Sequence, residues 1–280
     1  MKKKILTFVF IGPLGVFLTS ALFVSAFDVG KENRSEFRPT PAKNVQLIKK
    51  VTVRGVPDDV KVKPENPGKP GKPDKTDGIA IGTLGSSATG TKYAVVVGIA
   101  DYPGTGSDLN YTDEDAEEMY QALTTLYGYE NGNIHKLVDK NGEGATNATA
   151  QAIYDAVMDI EEKAVAGDEV FFFFSGHGGA GEAADGDSEI IDEAIIVHDG
   201  NDFVPIWDGD LKSWFSSFAT SRIIFAFDTC RAGGMTDLAQ DGRIINMATT
   251  ETGTAYEFSA LENGQFSYYF VDKGMLGGMA

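Results

Sequence analysis

The sequence predicts an α/β protein, a mainly parallel sheet with helices on both faces. Two observations carry this. Short runs of β-branched and aromatic residues alternate along the chain with longer stretches of helical period, the order expected when crossover helices join parallel strands. The strand candidates are also apolar at consecutive positions, as in Tyr93-Ala-Val-Val-Val-Gly-Ile99 and Glu169-Val-Phe-Phe-Phe-Phe174, which marks strands covered on both sides.

Taken in order, Tyr93–Ile99 is the first buried strand. Thr112, followed by Asp113, Glu114 and Asp115, opens a helix that runs to about Tyr127; its acidic first turn suits the positive end of the helix dipole. Ile134–Val138 reads as a short strand and Thr149–Val165 as an amphipathic helix. Strands follow at Glu169–Phe174 and Glu193–Val197, then a helix at Asp208–Phe218. Arg222–Phe227 and Ile244–Ala248 are the next strands, and Phe266–Met275 is the last helix. The sequence stops at Gly277-Gly-Met-Ala280, just past that helix, and reads as truncated there.

The region before residue 91 is organised differently. Lys2, Lys3 and Lys4 precede an uncharged apolar run, Ile5 to Ala26, that closes on Val24-Ser25-Ala26. This is the three-part pattern of a secretory signal. At 22 residues the run is also long enough to remain as a membrane anchor. Either reading places the protein outside the cytoplasm, secreted or held to the membrane through residues 5–26. Residues 27–90 read as a linker. Val45–Val53 offers one short strand, and Lys63-Pro-Glu-Asn-Pro-Gly-Lys-Pro-Gly-Lys-Pro-Asp74 is too rich in proline and glycine to pack. Residues 91–280 are then the folded domain.

Composition narrows the function. The net charge of −17 divides into +8 over residues 1–75 and −25 over residues 76–280. The second part would repel phosphates, so nucleic acid is not a partner, whereas cationic substrates and metal cations suit it. A single cysteine excludes an intramolecular disulfide and a thiolate zinc site. That cysteine, Cys230, stands in Phe227-Asp-Thr-Cys-Arg-Ala-Gly-Gly234, directly after a strand, and His177 stands in Phe174-Ser-Gly-His-Gly-Gly179 after another. In parallel sheets, sites form beyond the carboxyl ends of the strands. Histidine supplies the base a thiol needs, and the backbone N–H groups of Gly178 and Cys230 are candidate donors to a developing oxyanion. His135, inside a strand, and His198, at a polar strand end, read as structural or surface residues.

The pair Ser-Gly-His-Gly-Gly and Asp-Thr-Cys-Arg-Ala-Gly-Gly resembles the caspase-like cysteine peptidases, the metacaspase branch above all. The resemblance covers roughly residues 91–278. It includes Leu109-Asn-Tyr-Thr-Asp-Glu-Asp-Ala116, Asp185-Gly-Asp, Asp192-Glu-Ala-Ile, Ala255-Tyr-Glu and Asn263-Gly-Gln-Phe-Ser-Tyr-Tyr-Phe270. It implies a caspase–hemoglobinase fold and an endopeptidase with a Cys230–His177 dyad, acting on protein or peptide substrates through a thioester and with no organic cofactor. It further implies a pocket for Arg or Lys before the cleaved bond, lined by Asp115, Ser175 and Asp228. Calcium is implied at Asp192, Asp208, Asp210 and Asp237, although Gly209 interrupts the adjacent acids usual at that helix start. The competing functions are a catalytically inactive binding module of the same fold, a clostripain- or legumain-like peptidase, and a non-peptidase α/β binding protein whose acidic surface holds cations.

Overall fold

The computed structural model describes residues 35–54, 79–142, 146–184 and 189–278, and the backbone of 8–12 and 15–19. Residues 1–36 and 37–280 are separate compact units. In the first, β1 (Phe8–Gly12) pairs antiparallel with β2 (Gly15–Thr19). The remainder of the expected export segment, with its cleavage motif, and the Pro/Gly-rich stretch 63–74 lie outside the described residues. Among the described residues no helix is long and apolar enough to cross a membrane.

The second unit contains β3 (Ala42–Ile48), β4 (Val51–Val53), β5 (Ile79–Gly82), β6 (Lys92–Ile99), β7 (Ile134–Asp139), β8 (Glu169–Ser175) and β9 (His177–Ala183). It continues with β10 (Asp192–His198), β11 (Phe203–Trp207), β12 (Ile223–Asp228), β13 (Arg243–Met247), β14 (Tyr256–Phe258) and β15 (Asn263–Gly264). The helices are α1 (Thr112–Thr125), α2 (Ala150–Glu161), α3 (Asp208–Phe215) and a one-turn α4 (Gln265–Ser267) that widens into a π-helix over Tyr268–Leu276.

Six strands form the main sheet in the order β5-β13-β12-β8-β6-β7. All pairs are parallel except β13 with the edge strand β5. Alternate residues of its central strands feed two cores. Val95, Val97, Phe172, Phe174, Phe225 and Phe227 pack with Ile153 of α2 and Trp214 and Phe215 of α3. Ala94, Val96, Phe171 and Phe173 face the other way, onto Met119 and Leu123 of α1 and Val271 of the π-helix. The doubly covered parallel sheet is therefore as the apolar runs imply; α1, α2 and α3 end two to four residues earlier than their periodicity suggests, while the last helical segment reaches Leu276, one residue past its expected end.

The linker reading of residues 27–90 is corrected over two stretches. β5 joins the main sheet, and the single strand expected at 45–53 is two strands in two other sheets. β3 lies antiparallel on β9, at the edge of an antiparallel sheet of order β11-β10-β9-β3. β4 lies on β14. The unpaired backbone of a sheet edge accepts any extended segment of suitable length, so a stretch without a core pattern of its own still becomes strand.

Candidate active site

β8 and β12 are neighbours in register, with Asp228 opposite Ser175, so the turns that follow them emerge side by side. The turns approach so closely that a Cβ on Gly178 would collide with the Cys230 carbonyl and lie 2.9 Å from Thr229 Oγ1. Glycine is required there by contact between the two loops. The chain then turns sharply at Arg231, whose φ of 57° is left-handed, and its N–H donates to the Gly253 carbonyl at 3.0 Å.

His177 is buried and tied on both sides of its ring. Nε2 lies 2.7 Å from the Ser107 carbonyl, which can only accept, so Nε2 carries the proton. Nδ1 is then the basic nitrogen, and it accepts from the Lys50 N–H at 3.0 Å. The Tyr102 hydroxyl accepts the His177 N–H at 2.9 Å and donates to the Ile196 carbonyl, and its ring lies 4.5 Å from the imidazole. Burial depresses the imidazole to about 4, against the pull of the Ser107 hydrogen bond. The Cys230 thiol donates to the Lys49 carbonyl at 3.3 Å and accepts from the Ala255 N–H at 3.2 Å. Burial pushes it up, although the Ala255 hydrogen bond opposes this. Thiol and imidazole are thus both neutral here. A single peptide group, Lys49–Lys50, touches both, its oxygen toward sulfur and its nitrogen toward Nδ1.

Asp115, Ser175 and Asp228 also meet. Asp115 sits fully buried in the first turn of α1, which Thr112 fastens to β6 by donating its hydroxyl to the Ile99 carbonyl at 2.6 Å. Ser175 donates its hydroxyl to Asp115 at 2.6 Å. The Gly264 N–H donates to Asp115, and the Ser267 N–H and hydroxyl both donate to Asp228. Into this pocket comes the wholly buried side chain of Lys50. Its ammonium lies 2.8 Å from Asp228 Oδ1, 3.0 Å from Ser175 Oγ and 3.6 Å from Asp115 Oδ2. Burial alone would lower the ammonium, but the two carboxylates hold it above its ordinary value. Burial, together with the Asp228 charge, raises Asp115 to about 7 against the pull of Lys50.

The acids expected for calcium are not brought together as a set. Asp210 accepts from Thr40 and from the Trp207 N–H, and Asp237 pairs with Lys212 at 3.0 Å. Asp192 accepts from the Ala183 N–H at 2.6 Å. Among the described residues, the acids whose ligand atoms lie within 4.8 Å of one another are Asp208, Glu189 and Glu193. Glu193 Oε2 is buried and unpartnered, its other oxygen lies 3.4 Å from Arg231, and burial with the Glu251 charge raises it to about 7. Three crowded carboxylates on a raised, half-satisfied group fit a hard cation. His135 pairs with Asp159 at 2.8 Å, and His198 lies 3.3 Å from Asp139 with its ring 5.7 Å from that of Tyr102.

Lys50, Ser107, Gly264 and the Glu189–Glu193 pair were missed in sequence. A usable signal existed for Lys50: a lysine pair inside the strand candidate Val45–Val53 of a chain expected to read lysine.

Residues 92–239, more than half of the chain and including His177 and Cys230, match the family model of the metacaspase, peptidase C14 domain. Metacaspase-4 of Arabidopsis thaliana is similar at 34% identity over 154 residues, 54% of this chain and 36% of the relative. Metacaspase-7 of the same plant is 30% identical over 174 residues, 61% of this chain and 42% of the relative. Metacaspase-1 of Kluyveromyces lactis is 31% identical over 156 residues, 55% of this chain and 36% of the relative. The alignments therefore span well under half the length of these curated relatives.

Proposed function

Because the chain belongs to the metacaspase, peptidase C14 family, we propose that it is a cysteine endopeptidase cutting after Lys or Arg through Cys230 and His177. Lys50 carries this reading: a cation of the chain itself fills the pocket of Asp115, Ser175 and Asp228, with a peptide group laid against sulfur and imidazole. A paired carboxylate site reads a guanidinium equally well.

With substrate in place, Cys230 passes its proton to Nδ1 of His177 and the sulfur attacks the scissile carbonyl. The Ser107 carbonyl keeps the other ring proton on Nε2, so Nδ1 faces the bond. The N–H groups of Gly178 and Cys230 receive the oxyanion. The imidazolium protonates the departing amine, leaving a thioester. The neutral ring then takes a proton from water, whose hydroxide releases the acid and the thiol. Cys230→Ala should leave a folded protein with no turnover of Arg- or Lys-terminated fluorogenic peptides, while the parent cleaves these at least about tenfold faster than Asp-terminated ones. Equal hydrolysis by the Cys230→Ala protein, or a preference for Asp, would refute the reading.

Calcium would be held by Asp208, Glu189 and Glu193. It would supply charge neutralisation only, tying β10 to α3 beside the loop that follows Cys230. Millimolar calcium should raise the melting temperature, since a ligand of the folded state stabilises it by mass action. Glu193→Gln should abolish that rise. The apolar run 5–26 and the basic residues before it support export to an extracytoplasmic site.

A further inference from the structure

The direction in which the chain crosses its own cleft is informative. In a substrate, the residue whose side chain fills the pocket offers its own carbonyl, the one that follows it, to the sulfur. Here the pocket holds Lys50, but the carbonyl at Cys230 is that of Lys49, the residue before it. The Lys50–Val51 peptide points elsewhere, the Val51 N–H donating to the Ala255 carbonyl at 3.0 Å.

β4 agrees. It runs parallel to β14, pairing Val51 with Tyr256, Thr52 with Glu257 and Val53 with Phe258. A substrate with the same pocket residue and the opposite polarity would lay its preceding residues antiparallel on that edge. The occupant is also firmly held. β3 is paired to β9 as far as Gly178, Thr52 Oγ1 donates to Glu257 at 2.6 Å, and the Lys50 side chain is wholly buried. Both reacting groups are consumed by it, the thiol as a donor and Nδ1 as an acceptor.

We propose that residues 42–53 are a built-in inhibitor of the cleft, bound in the reverse direction and therefore not cut. The lysine satisfies the pocket while its own carbonyl is kept away from the sulfur. The Lys49 carbonyl that does reach the sulfur accepts the thiol proton through its oxygen and belongs to a residue whose ammonium lies outside, on the Gly106 carbonyl at 2.7 Å. Activation is then displacement of a strand, with both bonds of Lys50 left whole. This rests on the peptidase reading for its meaning, but occlusion of the thiol can be measured without hydrolysis.

The test uses the full chain. Alkylation of Cys230 by iodoacetamide is followed by intact mass in the parent, in Lys50→Ala, and in Val51→Pro, which removes one hydrogen bond of β4 without touching the buried pocket. Each variant's fold is checked by circular dichroism, and Val51→Pro serves alone if Lys50→Ala does not fold. The expected result is alkylation at least about tenfold faster in the variants, with hydrolysis of Lys- and Arg-terminated peptides rising in parallel. The parent, incubated until it has turned over such peptides, should retain its mass. Equal alkylation of parent and folded variant would overturn the occlusion. A Cys230-dependent cut between Lys50 and Val51 would overturn the reverse direction. Faster alkylation without hydrolysis would uphold occlusion and refute the peptidase reading instead.

Discussion

At Gly264 a side chain and a bound cation compete for one space. A Cβ there would collide with Asp228 Oδ2 and lie 2.7 Å from the Lys50 ammonium and 2.8 Å from Asp115 Oδ2. Gly264→Ala should therefore lower kcat/KM for Arg and Lys peptides by at least about tenfold, chiefly through KM. Since it also expels Lys50, its iodoacetamide reactivity should increase; a normal KM would show that the pocket is not used. In the sequence Gly264 is one residue of the longer stretch Asn263–Phe270, and nothing local announces that its hydrogen atoms face a cation. The residues at element ends were legible. His177, Ser175 and Cys230 follow apolar runs and Asp115 opens a helix, so topology alone brings them to the carboxyl end of the sheet. Lys50 lies 125 residues from Ser175 and 178 from Asp228 in a stretch with no motif, and its role exists only through those distant contacts.

Among the elements, the continuous apolar runs were read correctly because burial on both faces leaves no other pattern. β9 was not foreseen. It carries Gly178, Gly179 and Gly181, which weaken strand propensity. The glycines are there for approach: a Cβ on Gly179 would lie 2.6 Å from Ile196 Cδ1, and one on Gly181 2.7 Å from Trp207. The same demand sets the seat of α1. A Cβ on Gly98, near the end of β6, would collide with the Thr112 carbonyl and lie 2.7 Å from the Ala116 Cβ. Gly98→Val should push the first turn of α1, and Asp115 with it, off the sheet. The expected cost is about 2 kcal/mol or more of unfolding free energy, as for other overpacked sites, with a raised KM for basic peptides. An unchanged urea midpoint would mean that the helix start moves freely.

For the molecule as a whole, buried titratable groups make stability depend on pH. His177 is near 4 in the folded state against 6.5 when exposed, so between these values the unfolded chain binds the extra proton. Its contribution is complete above pH 6.5 and is lost as pH falls toward 4, about 3 kcal/mol in all. Asp115, raised to about 7, acts with the opposite sign and favours folding at lower pH. His177→Gln should therefore lose less stability than the parent between pH 6.5 and 4, as denaturant titrations at each pH would measure. Identical slopes would place the imidazole in solvent. The strands that cross the cleft belong to the same polypeptide as the cleft, and this fixes what a substrate must overcome. A tethered competitor acts at an effective concentration on the order of millimolar for short connections, and dilution does not lower it. The occluded fraction should thus be the same in a dilute solution of the protein as in a concentrated one. A peptide at micromolar level displaces the strand only if it binds roughly a thousandfold more tightly than the segment would if untethered.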